Sequence, residues 1–188
     1  MTGRAYGNKP ENTVNKIKPK IFVPVPVTGS VKREPAPVRF NNEPGCSTVL
    51  KNRTIMILED NEERIREFER AVGALGSQFK LRLWRDAPTM KAKCAELLAD
   101  TCLISLDHDL APLNNRSPDP GTGLEVAEFL SRHKPVCPVI LHTSNHERRW
   151  SMHNEFRFAS WNVEIVPPIG GDWIQNSWLS KARALIGF

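Results

Sequence analysis

The 188-residue chain has no apolar run approaching the ~18 residues that cross a bilayer, and its N-terminus lacks the apolar core of a secretory signal. Both absences point to a soluble, cytoplasmic protein without a membrane partner. Cysteine is sparse: Cys46, Cys94, Cys102 and Cys137 lie scattered without CxxC spacing. That argues against a zinc ribbon, and in a reducing compartment disulfides are not expected. The four read as free thiols, with Cys102 and Cys137 buried at the starts of strands. Acidic residues are scarce at one end only. Residues 1–53 hold ten Lys/Arg against three Asp/Glu and the remainder holds sixteen against eighteen, so the net charge of +5 belongs to a basic leader.

Residues 1–50 read as a disordered or extended Pro-rich basic N-terminal extension, and residues 51–188 as one α/β domain. Seven prolines among Gly, Asn, Ser and Thr leave residues 1–47 without helical or strand periodicity. The exception is the apolar strip at 21–27 (IFVPVPV), which could lie on the domain or on a neighbouring chain and makes the leader a candidate contact for a protein partner. Lys16, Lys18, Lys20, Lys32 and Arg33 offer clustered charge for nucleic acid. No base-reading motif accompanies them, so nucleic acid is not the expected partner.

Hydrophobic residues make up 40% of the chain, enough for one real core. Two apolar runs organise it. Residues 102–106 end in Asp107-His108-Asp109, and residues 138–141 end in His142-Thr143-Ser144-Asn145-His146. In open α/β sheets ligands bind beyond the carboxyl ends of strands, which places the chemistry in these clusters. Upstream, 54–58 is a buried strand stopped by Glu59-Asp60-Asn61. A helix over 62–75 follows, with Ile65, Phe68, Val72 and Leu75 as its inward stripe. Residues 79–84 alternate apolar and basic side chains, as an edge strand would. A second helix runs from Asp86 to Leu98 with Pro88 in its first turn.

The thirteen residues 111–123 are longer than the usual βα loop of about 2–6 and read as a lid or substrate-contacting loop. Thr122 to Glu125 fits a capping box opening a helix to about His133, whose amino end favours an anion. A helix over 146–158, a strand over 162–166 stopped by Pro167-Pro168, and a helix over 172–186 complete the pattern. The expectation is a three-layer doubly wound fold with a five-stranded parallel sheet in the order 2-1-3-4-5.

Residues 54–186 resemble bacterial response-regulator receiver domains at three positions: the acidic pair Glu59 and Asp60 after strand one, Asp107 after strand three, and Thr143 after strand four. The resemblance implies that the acidic pair helps hold Mg²⁺ and that Asp107 accepts a phosphoryl group. Receivers carry a lysine-proline step after strand five; here Val166-Pro167-Pro168 supplies no lysine. The Asp107-x-Asp109 pair and His142 look like the divergent receiver-like family proposed to process cyclic phosphates.

The residue chemistry stands beside that likeness. If extension persists, Asp107 and Asp109 share one side of their strand, and with Glu59 or Asp60 they suit a hard divalent cation, Mg²⁺ or Mn²⁺. A histidine joining them leaves Zn²⁺ or Fe²⁺ as alternatives. Such an ion polarises a phosphoryl oxygen and lowers the pKa of bound water. His142 or His108 could move the proton, with Thr143 beside them. Thr122, Gly123, Ser144, Asn145, His146 and Arg149 are candidate substrate contacts, the arginine through bidentate donors.

Each residue also has a plainer role. Asp60 can cap a helix, Asp109 can hold its loop through backbone bonds, and His108 alternates away from Asp107. His146, Arg148 and Arg149 can form a solvated helix face. His133 and His153 read as surface residues, and the tryptophans as core or rim packing. Three functions follow: a metal-dependent phosphoesterase acting on a cyclic phosphate or cyclic nucleotide, a receiver phosphorylated on Asp107, or a silent binding module.

Overall fold

A computed structural model describes residues 53–187. The expectations for the leader, its apolar strip, its basic cluster and Cys46 lie outside the described residues. The chain alternates strand and helix: β1 (Arg53–Leu58), α1 (Glu62–Leu75), β2 (Phe79–Trp84), α2 (Ala87–Leu97), β3 (Thr101–Leu106), α3 (Gly123–Ser131), β4 (Val139–Leu141), α4 (His146–Phe158), β5 (Val163–Ile165) and α5 (Leu179–Ile186). The five strands are all parallel, in the order β2-β1-β3-β4-β5. The fold is the expected one, and β2 occupies an edge.

Helix starts follow local capping chemistry. Asn61 Oδ1 accepts from the N–H of Glu63 and Arg64, Asp86 Oδ1 from Thr89, and Asn145 Oδ1 from Arg148. Thr122 and Glu125 close the capping box on α3. Sidedness follows strand alternation. Ile55, Ile57, Leu103 and Ile140 face α1 and α5, packing on Phe68, Val72, Trp178 and Ala182. Met56, Leu58, Ile104, Leu106, Val139 and Leu141 face α2, α3 and α4, packing on Met90, Val126, Leu130 and Phe156.

Three differences from expectation have physical causes. The last helix does not run regularly from Asp172: residues Ile174–Trp178 form a π-helical turn before α5. Its i→i+5 bond, Trp178 N–H to Trp173 O at 2.9 Å, sets the two indoles on one side, and both rings meet Phe68 edge-on. Cys137 is half-buried rather than buried because it precedes β4 in the connection from α3. Burial still pushes the thiols of Cys94 and Cys102 up to about 11 and that of Cys137 to about 12, so all three stay protonated at neutral pH. His133 and His153 are half-buried rather than surface residues. His133 Nδ1 lies 3.0 Å from Phe129 O, and His153 packs edge-on against Trp150.

Among the described residues, no helix is long and apolar enough to cross a membrane.

Candidate functional site

Register builds the site. Leu58 pairs with Leu106, and Leu106 with Leu141, so the residues one step further stand in a row: Glu59, Asp107 and His142. The ladder continues through them. Glu59 N–H donates to Trp84 O, Asp107 N–H to Leu58 O and His142 N–H to Leu106 O, each at 3.0 Å. By alternation all three side chains fall on the α1/α5 face, following Ile57, Ser105 and Ile140. Glu59 and His142 are fully buried and Asp107 is 4% exposed. One ligand atom from each lies within 4.8 Å of the others.

The surroundings are specific. His142 Nδ1 lies 2.8 Å from Ser105 Oγ, which also accepts the indole N–H of Trp178 at 2.9 Å. The imidazole stacks on Trp173 and meets the edge of Phe68. Its Nε2 is 3.5 Å from Glu59 Oε2, an electrostatic contact rather than a well-formed hydrogen bond, and that nitrogen has no other partner. Arg64, on the first turn of α1, places Nη1 3.1 Å from Asp107 Oδ2 and 3.4 Å from Glu59 Oε2.

The two carboxyls respond oppositely. Burial raises Glu59, but His142, the Asn61 N–H and Arg64 together outweigh it and hold the group below its usual range. Asp107 is pushed up by burial, with the Glu59 charge adding to it; His142, the His108 N–H and Arg64 offset this only in part.

The remaining candidates stand apart from this row. Asp60, on the opposite face parity, accepts from Ala111 N–H at 2.8 Å and so anchors the long loop. Asp109 does not join Asp107, because β3 ends at Leu106, the chain bends at His108, and Asp109 bridges to Thr122. Its Oδ1 lies 2.7 Å from His108 Nδ1 and accepts from Asn145 Nδ2 at 3.3 Å. His108 is 5% exposed. Thr143 is buried, its Oγ1 accepting from Asn145 N–H and its carbonyl from Arg149 Nη1. Ser144 and His146 are exposed, and His146 Nε2 accepts from Trp150 Nε1.

The amino end of α3 offers little to an anion. Gly123 N–H donates to His108 O at 3.0 Å, and the Glu125 N–H is taken by Thr122 Oγ1. Gly123 is there for space: a Cβ would lie 1.9 Å from Asp107 O. The loop walls a cleft of about 560 Å³ with Asp60, Arg85, Pro88, Pro112, Leu113 and Pro120 among its lining.

Sequence reasoning missed Arg64 and Ser105. Ser105 had a signal, as the one hydroxyl within the apolar run 102–106; Arg64 had none, since only the placement of α1 aims it at the carboxylates.

Fold and site together define a receiver-like domain with an altered acidic centre. In structure the chain is similar to the response regulator domain of Thermotoga maritima CheB (15% identity, TM-score 0.51, 72% of this chain and 97% of that one). It is also similar to a response regulator receiver domain from Rhodospirillum rubrum (16%, 0.52, 72% and 94%) and a sensor protein from Polaromonas sp. JS666 (16%, 0.51, 72% and 96%). At such identity these likenesses show the fold alone. No curated protein sequence matches the chain. Residues 55–158, more than half of the chain, match the cyclic-phosphate processing receiver domain, and the chain belongs to that family.

Proposed function

We propose that the domain is a divalent-metal-dependent phosphoesterase acting on a cyclic phosphate or cyclic nucleotide. The observation that carries this reading is the convergence of Glu59, Asp107 and His142 in one buried row, with His142 Nε2 left without a hydrogen bond. Two carboxylates and an imidazole fit Mn²⁺; Mg²⁺ would rely on the carboxylates, and Zn²⁺ or Fe²⁺ are the alternatives. When bound, the ion supplies a Lewis acid for a phosphoryl oxygen and a lowered pKa for water.

The chain's own residues divide the remaining work. Ser105 can accept the Nδ1 proton of His142, which fixes the ring with Nε2 toward Glu59. His142 would spend its Nε2 on the ion, so proton transfer to a leaving oxygen is assigned to His108. A His108 tautomer that donates from Nδ1 to Asp109 would leave the Nε2 lone pair free to take that proton. The cleft beside Asp60 has the volume of a small-molecule site, suited to the non-phosphate part of a nucleotide. The family's description as cyclic-phosphate processing supports the substrate class.

The test is hydrolysis of 2′,3′-cyclic, 3′,5′-cyclic and linear phosphodiesters with Mg²⁺, Mn²⁺ or Zn²⁺. Cleavage of a cyclic class that stops on chelation is expected. No cleavage of any class, or stable labelling of Asp107 by acetyl phosphate, would turn the assignment toward a silent module or a phosphoacceptor receiver.

A further inference from the structure

Charge balance at the buried row singles out Arg64. Glu59 and Asp107 bring two carboxylates into a pocket with almost no solvent, and the group lying on both of them is the Arg64 guanidinium, at 3.4 and 3.1 Å. One nitrogen, Nη1, makes both contacts. The Arg64 side chain is one-third exposed while the side chains of Glu59 and Asp107 are buried, so the guanidinium closes the cluster from the solvent side. A single positive charge thus occupies the mouth of a site whose two carboxylates match a divalent ion.

We infer that Arg64 is a mobile cation with two positions: it neutralises Glu59 and Asp107 when no metal is bound, and moves to the phosphoryl oxygens of the substrate once metal takes the carboxylates. This rests on the metal-site reading above. A divalent ion cancels both carboxylate charges and leaves Arg64 surplus beside a second cation, where like charges repel. An oxyanion held there removes that repulsion, and guanidinium is the side chain best shaped to grip two phosphoryl oxygens. Two linked effects follow. Arg64 competes with metal, and phosphate and metal bind cooperatively because each relieves the other's cost at Arg64.

The experiment uses the full chain, with Mn²⁺ alone and Mn²⁺ with inorganic phosphate as probes, followed by the electron paramagnetic resonance signal of free Mn²⁺. Arg64→Met should bind Mn²⁺ at least about fivefold tighter than wild type, within the usual range of site-to-site coupling. Phosphate should tighten Mn²⁺ binding in wild type and lose that effect in Arg64→Met. Arg64→Lys, which keeps the charge without the fork, should retain part of both. Melting curves of each variant confirm folding. Binding seen only in Arg64→Met would support the inference in its strongest form. Equal Mn²⁺ affinity in wild type and Arg64→Met, or an undiminished phosphate effect in Arg64→Met, would overturn it while leaving the metal site standing. No Mn²⁺ bound by any variant would remove the metal site and this inference together.

Discussion

On the sheet face covered by α1 and α5, the strand ends deliver Glu59, Asp107 and His142, all buried and mutually close. On the face covered by α2, α3 and α4, the same strand ends deliver Asp60, His108 and Thr143, whose polar atoms are engaged with loops: Asp60 with Ala111, His108 with Asp109, Thr143 with Asn145. The two sets differ by one residue in chain position and so by strand parity. Residue type alone does not separate a ligand-facing carboxylate from a loop anchor here; the face does. The inner row concentrates two carboxylates under the single guanidinium of Arg64, whereas the outer set spends its hydrogen bonds on holding residues 108–123 and the start of α4.

Substitutions can break that division. The largest effect is expected at Asp107: Asp107→Asn should abolish both metal-induced thermal stabilisation and phosphoester turnover. His108→Ala should lower turnover by roughly 10²–10⁴ yet keep the metal-induced shift, as befits a proton-transfer group outside the row. Calorimetric melting with and without Mn²⁺, beside steady-state rates, checks both.

Ser105→Ala comes next. It leaves the buried Trp178 N–H without its acceptor, at a cost of ~1–3 kcal/mol, and frees the His142 ring. Metal affinity should fall about 10–100-fold, the usual effect of losing an outer hydrogen bond to a ligating histidine.

The two inner carboxylates should then separate by pH in metal-free protein. Glu59 is held below its ordinary 4.5, so its charge contributes stability above that value, lost as pH falls through the folded one. Asp107 is raised above its ordinary 3.8, so its contribution is full below that value and lost as pH rises through the folded one. At pH 7, Glu59→Gln should therefore lower the Tm and Asp107→Asn should raise it. Both differences should shrink as pH falls. Melting curves in EDTA across that range would show a fault in the assignment if the two variants moved in the same direction.

The smallest effect belongs to Asp60→Asn. Losing one charged anchor of the Ala111 loop should raise KM for a nucleotide substrate by under about tenfold, with kcat and metal stabilisation unchanged.

Much of this architecture was legible beforehand. The apolar runs and the Thr122 capping box marked strand and helix boundaries, because those signals are local. Asp107 and the pair Glu59 and Asp60 stood out as acidic residues at strand ends, while which member of the pair would join Asp107 stayed open until the register was known. What remained hidden depended on register and on packing. Alternation set Asp109 beside Asp107, and the bend at His108 together with the bridge to Thr122 removed it. His142 gave no sign of which face it would take until Leu106 was paired with Leu141. The rings of Phe68 and Trp173 against it come from segments more than a hundred residues apart, and Trp178, which holds Ser105, is set by a π-helical turn that has no clear sequence signature.

The central claim is that metal binds the inner row. An anomalous difference map from crystals soaked in Mn²⁺ tests it most directly. The account predicts one strong peak among Glu59, Asp107 and His142, with the Arg64 guanidinium displaced from the carboxylates. A peak held instead by Asp60 and Asp109, or none at millimolar Mn²⁺ with Arg64 still seated on Glu59 and Asp107, would contradict it.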